Sequence, residues 1–414
     1  MSVSRRAVLA GAAGAALLGA GRARAAPPLT LRRGINLWPW FSLTREFPAP
    51  RTDYDWPPFQ LDRQIPMSRD LAQLRRAGFD FVRIPVDPGP IVAAAPRERA
   101  LLLDQVMAAV ALALGQDLAV VLNLHGNAAT HHWNPAYLFG SEAAPGFPAY
   151  LAVIAELARR LGRLVPGRVA LEPVNEPFQA CGDAEWERVQ KRMLAAARSA
   201  APDLTLVATG ACGSMIAGLG PLKAKALAAF EPLLFTFHFY EPYLFSHQGA
   251  KWMSEPFYPA LNGVPWPASH GSLEATLAAV RARMAVLGQP ASGRGAATYR
   301  ETERVLREYF DARPDRPFIE GYLGQVGAWA QREGVAPGRI LMGEFGAVRT
   351  GAGIAAAAPA DRARYVRDVR LSAEAMGFPW AFWNLFDVLG LLVDDVSRRL
   401  DPAMIEALGL RMPA

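Results

Sequence analysis

The chain has 414 residues, of which 51% are hydrophobic and 20% charged; this is the composition of a soluble globular protein, long enough for one large domain or two ordinary ones. Its 44 Lys+Arg against 38 Asp+Glu give a net charge of +6, but four of the arginines (Arg5, Arg6, Arg22, Arg24) fall in the first 25 residues, which contain no acid. Without them the balance is 40 against 38, and no basic run or stripe remains to argue for a nucleic-acid partner.

The N-terminus reads as an export signal. Ser4-Arg5-Arg6-Ala7-Val8-Leu9 resembles a twin-arginine motif, the uncharged stretch Ala7 to Ala20 follows, and Ala23-Arg24-Ala25 offers a small-x-small cleavage site. The 14-residue apolar run is too short and too rich in Ala and Gly to span a bilayer. The expected organisation is therefore a signal over 1–25 and a single domain over 26–414, periplasmic or secreted, without a stable membrane anchor. Two cysteines, Cys181 and Cys212, are too few for a disulfide scaffold or a zinc site. They pair if their loops are neighbours and are otherwise two buried thiols.

Along the body, short apolar runs alternate with amphipathic stretches. The runs end at Asn36-Leu37, Ile84-Pro85, Leu124-His125, Asn175-Glu176, Thr209-Gly210, His238-Phe239, Gly343-Glu344 and Trp383-Asn384. Helical stretches are read over Ser68–Ala77, Arg97–Gly115, Phe147–Leu164, Ala184–Ala201, Pro221–Ala229, Phe318–Glu333 and Ala360–Met376. This alternation predicts a parallel sheet jacketed by helices, and eight units fit a closed (β/α)8 TIM barrel, an α/β fold. An open doubly wound sheet is the alternative, but no Gly-rich phosphate loop follows any strand. Between His238 and Glu344 lie about 100 residues, against the ~30 of a βα unit. This extended β6–β7 connection is read as a loop from Tyr240 to Gly271 carrying Tyr243, Phe245, Trp252, Phe257, Tyr258 and Trp266, then helices near Ser272–Leu287 and Thr298–Phe310. A long aromatic loop in a compact domain is more often functional than idle.

Polar residues gather at the ends of the apolar runs: Arg83, His125, Asn175-Glu176-Pro177, His238, Tyr240, Glu344 and Trp383-Asn384. Each has a bland reading alone: a hydrogen-bonded histidine, a paired arginine, a core tryptophan. In a barrel, however, these positions converge on one mouth, where active sites of this fold lie. Burying several ionisable groups together is costly unless they pair or do chemistry. Cleaving a glycosidic bond needs such a set, because one carboxyl must hold a proton while the other stays ionised.

Asn175-Glu176-Pro177 on the fourth strand and Glu344 on the seventh resemble the signature of clan A glycoside hydrolases. With Arg83, His125, His238, Tyr240 and Trp383, the chain is similar to glycoside hydrolase family five, the cellulase family A, from Arg33-Gly34-Ile35-Asn36-Leu37 to the end of the eighth strand. The resemblance implies a retaining, two-glutamate glycoside hydrolase. Glu176 would be the acid/base and Glu344 the nucleophile, with Asn175 on the sugar 2-hydroxyl. Arg83 and Tyr240 would hold Glu344 ionised, His125 would support the sugar, and His238 would hydrogen-bond near Glu176. Trp383 would be the platform under the ring. Trp38, Trp40 and Trp133 could line the cleft or pack beneath it. The adjacent His131 and His132 would point to opposite sides of an extended loop with no carboxylate close in sequence, so no metal is expected, and the mechanism calls for no cofactor. The expected partner is a β-linked polysaccharide or oligosaccharide, met as a monomer. No added carbohydrate-binding module follows the catalytic segment, which points to soluble or nascent polymer. The leading specificity is endo-β-1,4-glucanase. A β-mannanase, an exo-β-1,3-glucanase and a non-catalytic polysaccharide-binding protein are the alternatives; the last should have lost a catalytic glutamate, and both are present.

Overall fold

The computed structural model describes residues 29–413 except 60–62 and 352; the export signal expected over 1–25 lies outside them. Strands β1 (Arg33–Asn36), β2 (Phe81–Val86), β3 (Ala119–Leu124), β4 (Val169–Glu172), β5 (Thr205–Thr209), β6 (Leu233–Phe239), β7 (Ile340–Phe345) and β8 (Trp380–Phe382) form a closed barrel in chain order. Neighbouring strands run parallel, and β8 closes on β1 through Arg33–Trp380, Gly34–Ala381 and Ile35–Phe382.

Side chains alternate across each strand, so period two sorts them into two cores. Val82, Ile84 and Val86 of β2, Val120, Leu122 and Leu124 of β3, and Phe235, Phe237 and Phe239 of β6 join the large core under the helices. The alternate residues Phe81, Ala119, Val121, Ala170, Val207, Leu234, Leu341 and Ala381 form a separate cluster filling the lower barrel. Two residues further along, the same inward face turns polar: Asn36, Arg83, Asn123, Glu172, Thr209 and Thr236 are all buried. Gly34 permits this filling, because a Cβ there would lie 2.2 Å from the Phe81 ring.

The jacket is α1 (Ser68–Ala77), α2 (Pro96–Leu114), α3 (Phe147–Leu161), α4 (Ala184–Ala200), α5 (Leu273–Val286), α6 (Ala296–Ala312), α7 (Arg316–Glu333) and α8 (Pro359–Ala375). Their ends carry local signals. The Asp70 carboxylate accepts from Met67 N–H at 2.8 Å to start α1, and Gly78, at φ 113°, ends it. The Asp183 side chain accepts from Glu185 N–H to start α4. One expected helix differs: Pro221–Ala229 is a 3₁₀ segment, Ala224–Phe230, after a single turn at Ile216–Leu219. Gly218, Gly220 and Pro221 interrupt a connection too short for a full α-helix.

The long β6–β7 connection holds α5, α6 and α7. Its first part contains only short turns around Tyr243–Ser246, Tyr258–Ala260 and Ala268–His270. Phe245, Phe257, Tyr258 and Trp266 are buried there and give the loop a core of its own. Cys181 and Cys212 form a disulfide. No helix among the described residues is long and apolar enough to cross a membrane.

Candidate active site

The polar end of the barrel opens into a cleft of about 430 Å³, with Glu176, Tyr240, Glu344 and Trp383 in its wall. Arg83, fully buried, organises the floor. Its Nε and Nη2 donate to Glu172 Oε2 (2.6 Å) and Oε1 (2.9 Å), a fork-to-fork pair. Nη1 donates to Glu344 Oε1 (2.8 Å) and Asn36 Oδ1 (2.9 Å), and Nη2 also reaches Asn175 Oδ1 (2.7 Å). Burial opposes the guanidinium charge, but Glu172 and Glu344 more than offset it, so Arg83 stays a cation.

Glu344 stands where β7 slips against β6: Phe237 faces Met342, but His238 faces Glu344. The extra residue is Gly343, where a Cβ would come within 2.6 Å of Thr236 Oγ1 and 3.2 Å of His238 Nε2. The bulge re-aims Glu344 into the mouth, a common use of bulges beside functional sites. Tyr240 O–H donates to Glu344 Oε2 at 3.0 Å. Burial and the neighbouring Glu344 charge keep that phenol protonated.

Glu176 lies beyond β4, which stops at Glu172 rather than at Asn175-Glu176 as expected. Pro173 lacks the N–H that a continued ladder would need, and Glu176 has φ 40°, outside the extended region. Its side chain is two-fifths exposed at the mouth. His238 Nδ1 lies 2.7 Å from Glu176 Oε1 and 3.6 Å from Glu344 Oε2, so one imidazole bridges two carboxylates. Burial works to raise Glu176, but the hydrogen bond and charge of His238 outweigh it and hold this carboxyl below its usual range. Burial raises Glu344; His238 and Arg83 pull it down, the Glu176 charge pushes it up, and the balance is upward. Burial lowers His238, but Glu344 and Glu176 raise it above an ordinary imidazole. Taken singly, these directions run against the roles expected of Glu176 as proton-holding acid and of Glu344 as a carboxylate held ionised by Arg83 and Tyr240; His238, in contact with both, makes the three groups titrate as one unit that shares its protons. His125 is different: burial, then Arg83, push it down to about 3, so it is a neutral ring.

The remaining expected residues converge on the same mouth. Asn175 N–H donates to Leu124 O at 2.8 Å, which seats it beside His125. The rings of Trp38, His125 and Trp383 stand 5.2 to 5.8 Å apart as a group. Of the three undecided tryptophans, Trp38 reaches the cleft, Trp40 stacks on Phe41 in the core, and Trp133 packs on His132 and Tyr137. His131 does meet a carboxylate, Glu46 at 2.8 Å, supplied by the β1–α1 loop rather than by a sequence neighbour. Glu46 also accepts from the backbone of His131, His132 and Trp133, which makes it a loop organiser.

Glu172, Asn36 and Asp387 were not picked out in the sequence. Glu172 and Asn36 complete the Arg83 network; each is an inward polar residue on an apolar strand, a signal available from alternation. Asp387, after β8, also faces the cleft, and nothing local distinguishes it; Trp252, one of the aromatics expected on the long loop, is half exposed and faces the cleft too. Glu176, His238 and Glu344 each offer an atom within 4.8 Å of the others, a spacing that could hold a cation. The donor chemistry argues otherwise, since both Glu344 oxygens and His238 Nδ1 are already engaged and the Arg83 cation lies 2.8 Å away. What the site can do is give a proton from one carboxyl and attack with the other.

Residues 49–387 match the model of a family described as cellulase, glycosyl hydrolase family 5. Cellodextrinase A of Ruminococcus flavefaciens is 24% identical over 230 residues, 53% of this chain and 61% of that protein, so the match spans less than two thirds of that relative. The clostridial cellulose synthase subunit Z of Clostridioides difficile superposes with a TM-score of 0.65 at 21% identity, over 91% of this chain and 99% of that one. Endoglucanase Cel5A of Thermotoga maritima does so with a TM-score of 0.64 at 21% identity, over 91% and 96%. The structural likenesses establish the barrel fold.

Proposed function

Because the chain belongs to the cellulase family, glycosyl hydrolase family 5, it is a glycoside hydrolase, and we propose that it is a retaining endo-β-1,4-glucanase working by double displacement. The observation that carries this reading is the carboxylate spacing: oxygens of Glu176 and Glu344 lie within 4.8 Å of each other. Retaining enzymes hold their carboxyls about 5–5.5 Å apart, whereas inverting ones leave about 6.5–9.5 Å for a water.

In this reading, a Glu344 oxygen attacks the anomeric carbon. The bond from that carbon to the leaving oxygen breaks as Glu176 protonates the oxygen. Water then attacks the glycosyl ester, Glu176 takes its proton, and the carbon–Glu344 bond breaks. Arg83 and Tyr240 stabilise the carboxylate as it forms and departs. Asn175 is placed to hydrogen-bond the sugar 2-hydroxyl. His125, neutral at working pH, takes a hydroxyl rather than a charge, and Trp383 gives an apolar face to the ring. The proton for Glu176 comes across the 2.7 Å contact with His238. The exposed Trp252 and open cleft suit a chain running through, which favours endo action. Export by the twin-arginine motif would place the enzyme against extracellular or periplasmic glucan.

Two measurements test this. Early products on soluble β-glucans should keep the β-anomer by NMR and be a mixture of oligosaccharides; initial α-anomer would overturn the retaining mechanism, and a single short product the endo assignment. Glu344→Ala should lower kcat on an aryl β-cellobioside by more than about 10⁴-fold. Equal, near-zero rates in parent and variant would remove the assignment of this activity.

A further inference from the structure

The loop after β5 does more than connect. Cys212, Gly213 and Ser214 have φ of 49°, 70° and 55°, three left-handed residues in succession. Two of the three are not glycine, and such backbone persists only where its surroundings fix it. The loop is fixed on two sides.

On one side it grips the segment that follows Glu176. Cys212 N–H donates to Gln179 O and Gly213 N–H to Pro177 O, each at 2.8 Å, and the Cys181–Cys212 disulfide closes the same seam. On the other side it grips His238: the His238 N–H donates to Ser214 O at 2.8 Å, and Met215 pairs with His238 as a parallel bridge. The Ser214 hydroxyl accepts from Thr209 Oγ1 at 2.9 Å. One short loop therefore holds both members of the Glu176–His238 pair. Glu176 itself sits at φ 40° on an irregular segment, whereas Glu344 and Arg83 sit on barrel strands. Of the two carboxylates, only Glu176 depends on a loop for its position.

We propose that the Cys181–Cys212 disulfide is a positioning device for the acid/base, locking Glu176 against His238 through the Cys212–Met215 loop. This rests on the reading of Glu176 as acid/base. Opening the bond leaves the Arg83–Glu344–Tyr240 network intact and loosens only proton delivery. A misplacement of about 1 Å at a reacting group costs up to about 100-fold. The cost falls on substrates whose leaving group needs a proton.

The test compares kcat/KM for phenyl β-cellobioside, a poor leaving group, with 2,4-dinitrophenyl β-cellobioside, which leaves without protonation. It uses the Cys181→Ser/Cys212→Ser double variant and the folded parent treated with dithiothreitol, which converts the bond to two thiols as it closes to its own cyclic disulfide. Cys181 is exposed, so the reagent can reach the bond. The expected result is a fall of about 10- to 100-fold on the phenyl substrate. The dinitrophenyl substrate should change less than twofold, and reoxidation should restore the parent ratio. An equal fall on both substrates, no fall on either, or unfolding of the reduced parent by near-ultraviolet circular dichroism would overturn the proposal. If the double variant does not fold, the reduced and reoxidised parent decides alone. Glu176→Ala is the control: if its loss does not depend on the leaving group, the acid/base assignment fails, whatever the cysteines do.

Discussion

The lower barrel is filled by Phe81, Ala119, Val121, Ala170, Val207, Leu234, Leu341 and Ala381, while Asn36, Arg83, Glu172, Thr236 and Glu344 occupy the level above them on the same strands. Apart from Glu344, which the Gly343 bulge turns inward, alternation and backbone geometry are shared, so the contrast is chiefly one of side-chain chemistry. The lower level gains stability from removing apolar surface from water, about 25 cal/mol per Å². The upper level must offset desolvation of a guanidinium and two carboxylates with one another. Stability is concentrated where there is no chemistry, and the chemistry stands on it.

Breaking the upper level should do the greater damage. Arg83→Met leaves Glu172 and Glu344 as buried carboxylates without their cation, at a cost of about 3–5 kcal/mol. Urea denaturation reads this directly, and the stability lost should shrink on acidification, as the stranded carboxylates protonate. An unchanged midpoint would mean that the two levels do not differ as described. Val121→Ala in the lower level should cost about 1–3 kcal/mol and leave kcat/KM within twofold at 25 °C. A large loss of activity there would show that the levels are mechanically coupled.

The same contrast explains what could be read beforehand. Strands and helices were legible because alternation and 3.6-residue periodicity are local, and the mouth was legible because His125, His238 and Glu344 stand at the ends of apolar strands and Arg83 interrupts one. Alternation marks Glu172 as an inward polar residue, but not its role: a carboxyl before Pro173-Val174 reads as the start of the Asn175-Glu176 motif rather than as the partner of an arginine 89 positions earlier. The departure of Glu176 from the strand depends on a left-handed φ that neither its type nor its neighbours announce. Trp252 and Asp387 reach the cleft through loop paths set by distant packing. The pairing of Cys181 with Cys212 depends on the β4 and β5 loops meeting, which a barrel in chain order provides once it exists.

The finest contrast lies within the site, between two histidines, His125 at the cleft wall and the buried His238. His125, pushed down to about 3, is neutral wherever the enzyme works. His238 is raised by the two carboxylates it bridges. In the proposed double displacement, the active form of the Glu176–His238–Glu344 unit carries one proton. On the acid side a second proton must enter, and the His238 cation opposes it by lowering both carboxyls. On the alkaline side the last proton must leave, and the raised His238 retains it. His238→Asn removes both effects. The acid limb of the kcat/KM profile should then move up and the alkaline limb down, narrowing the bell from both sides. His125→Asn should lower activity without moving either limb. If His238→Asn shifts the whole bell in one direction, the proton belongs to one residue rather than to the unit. If His125→Asn moves a limb, the neutral assignment of that ring is wrong and the two histidines are not opposites.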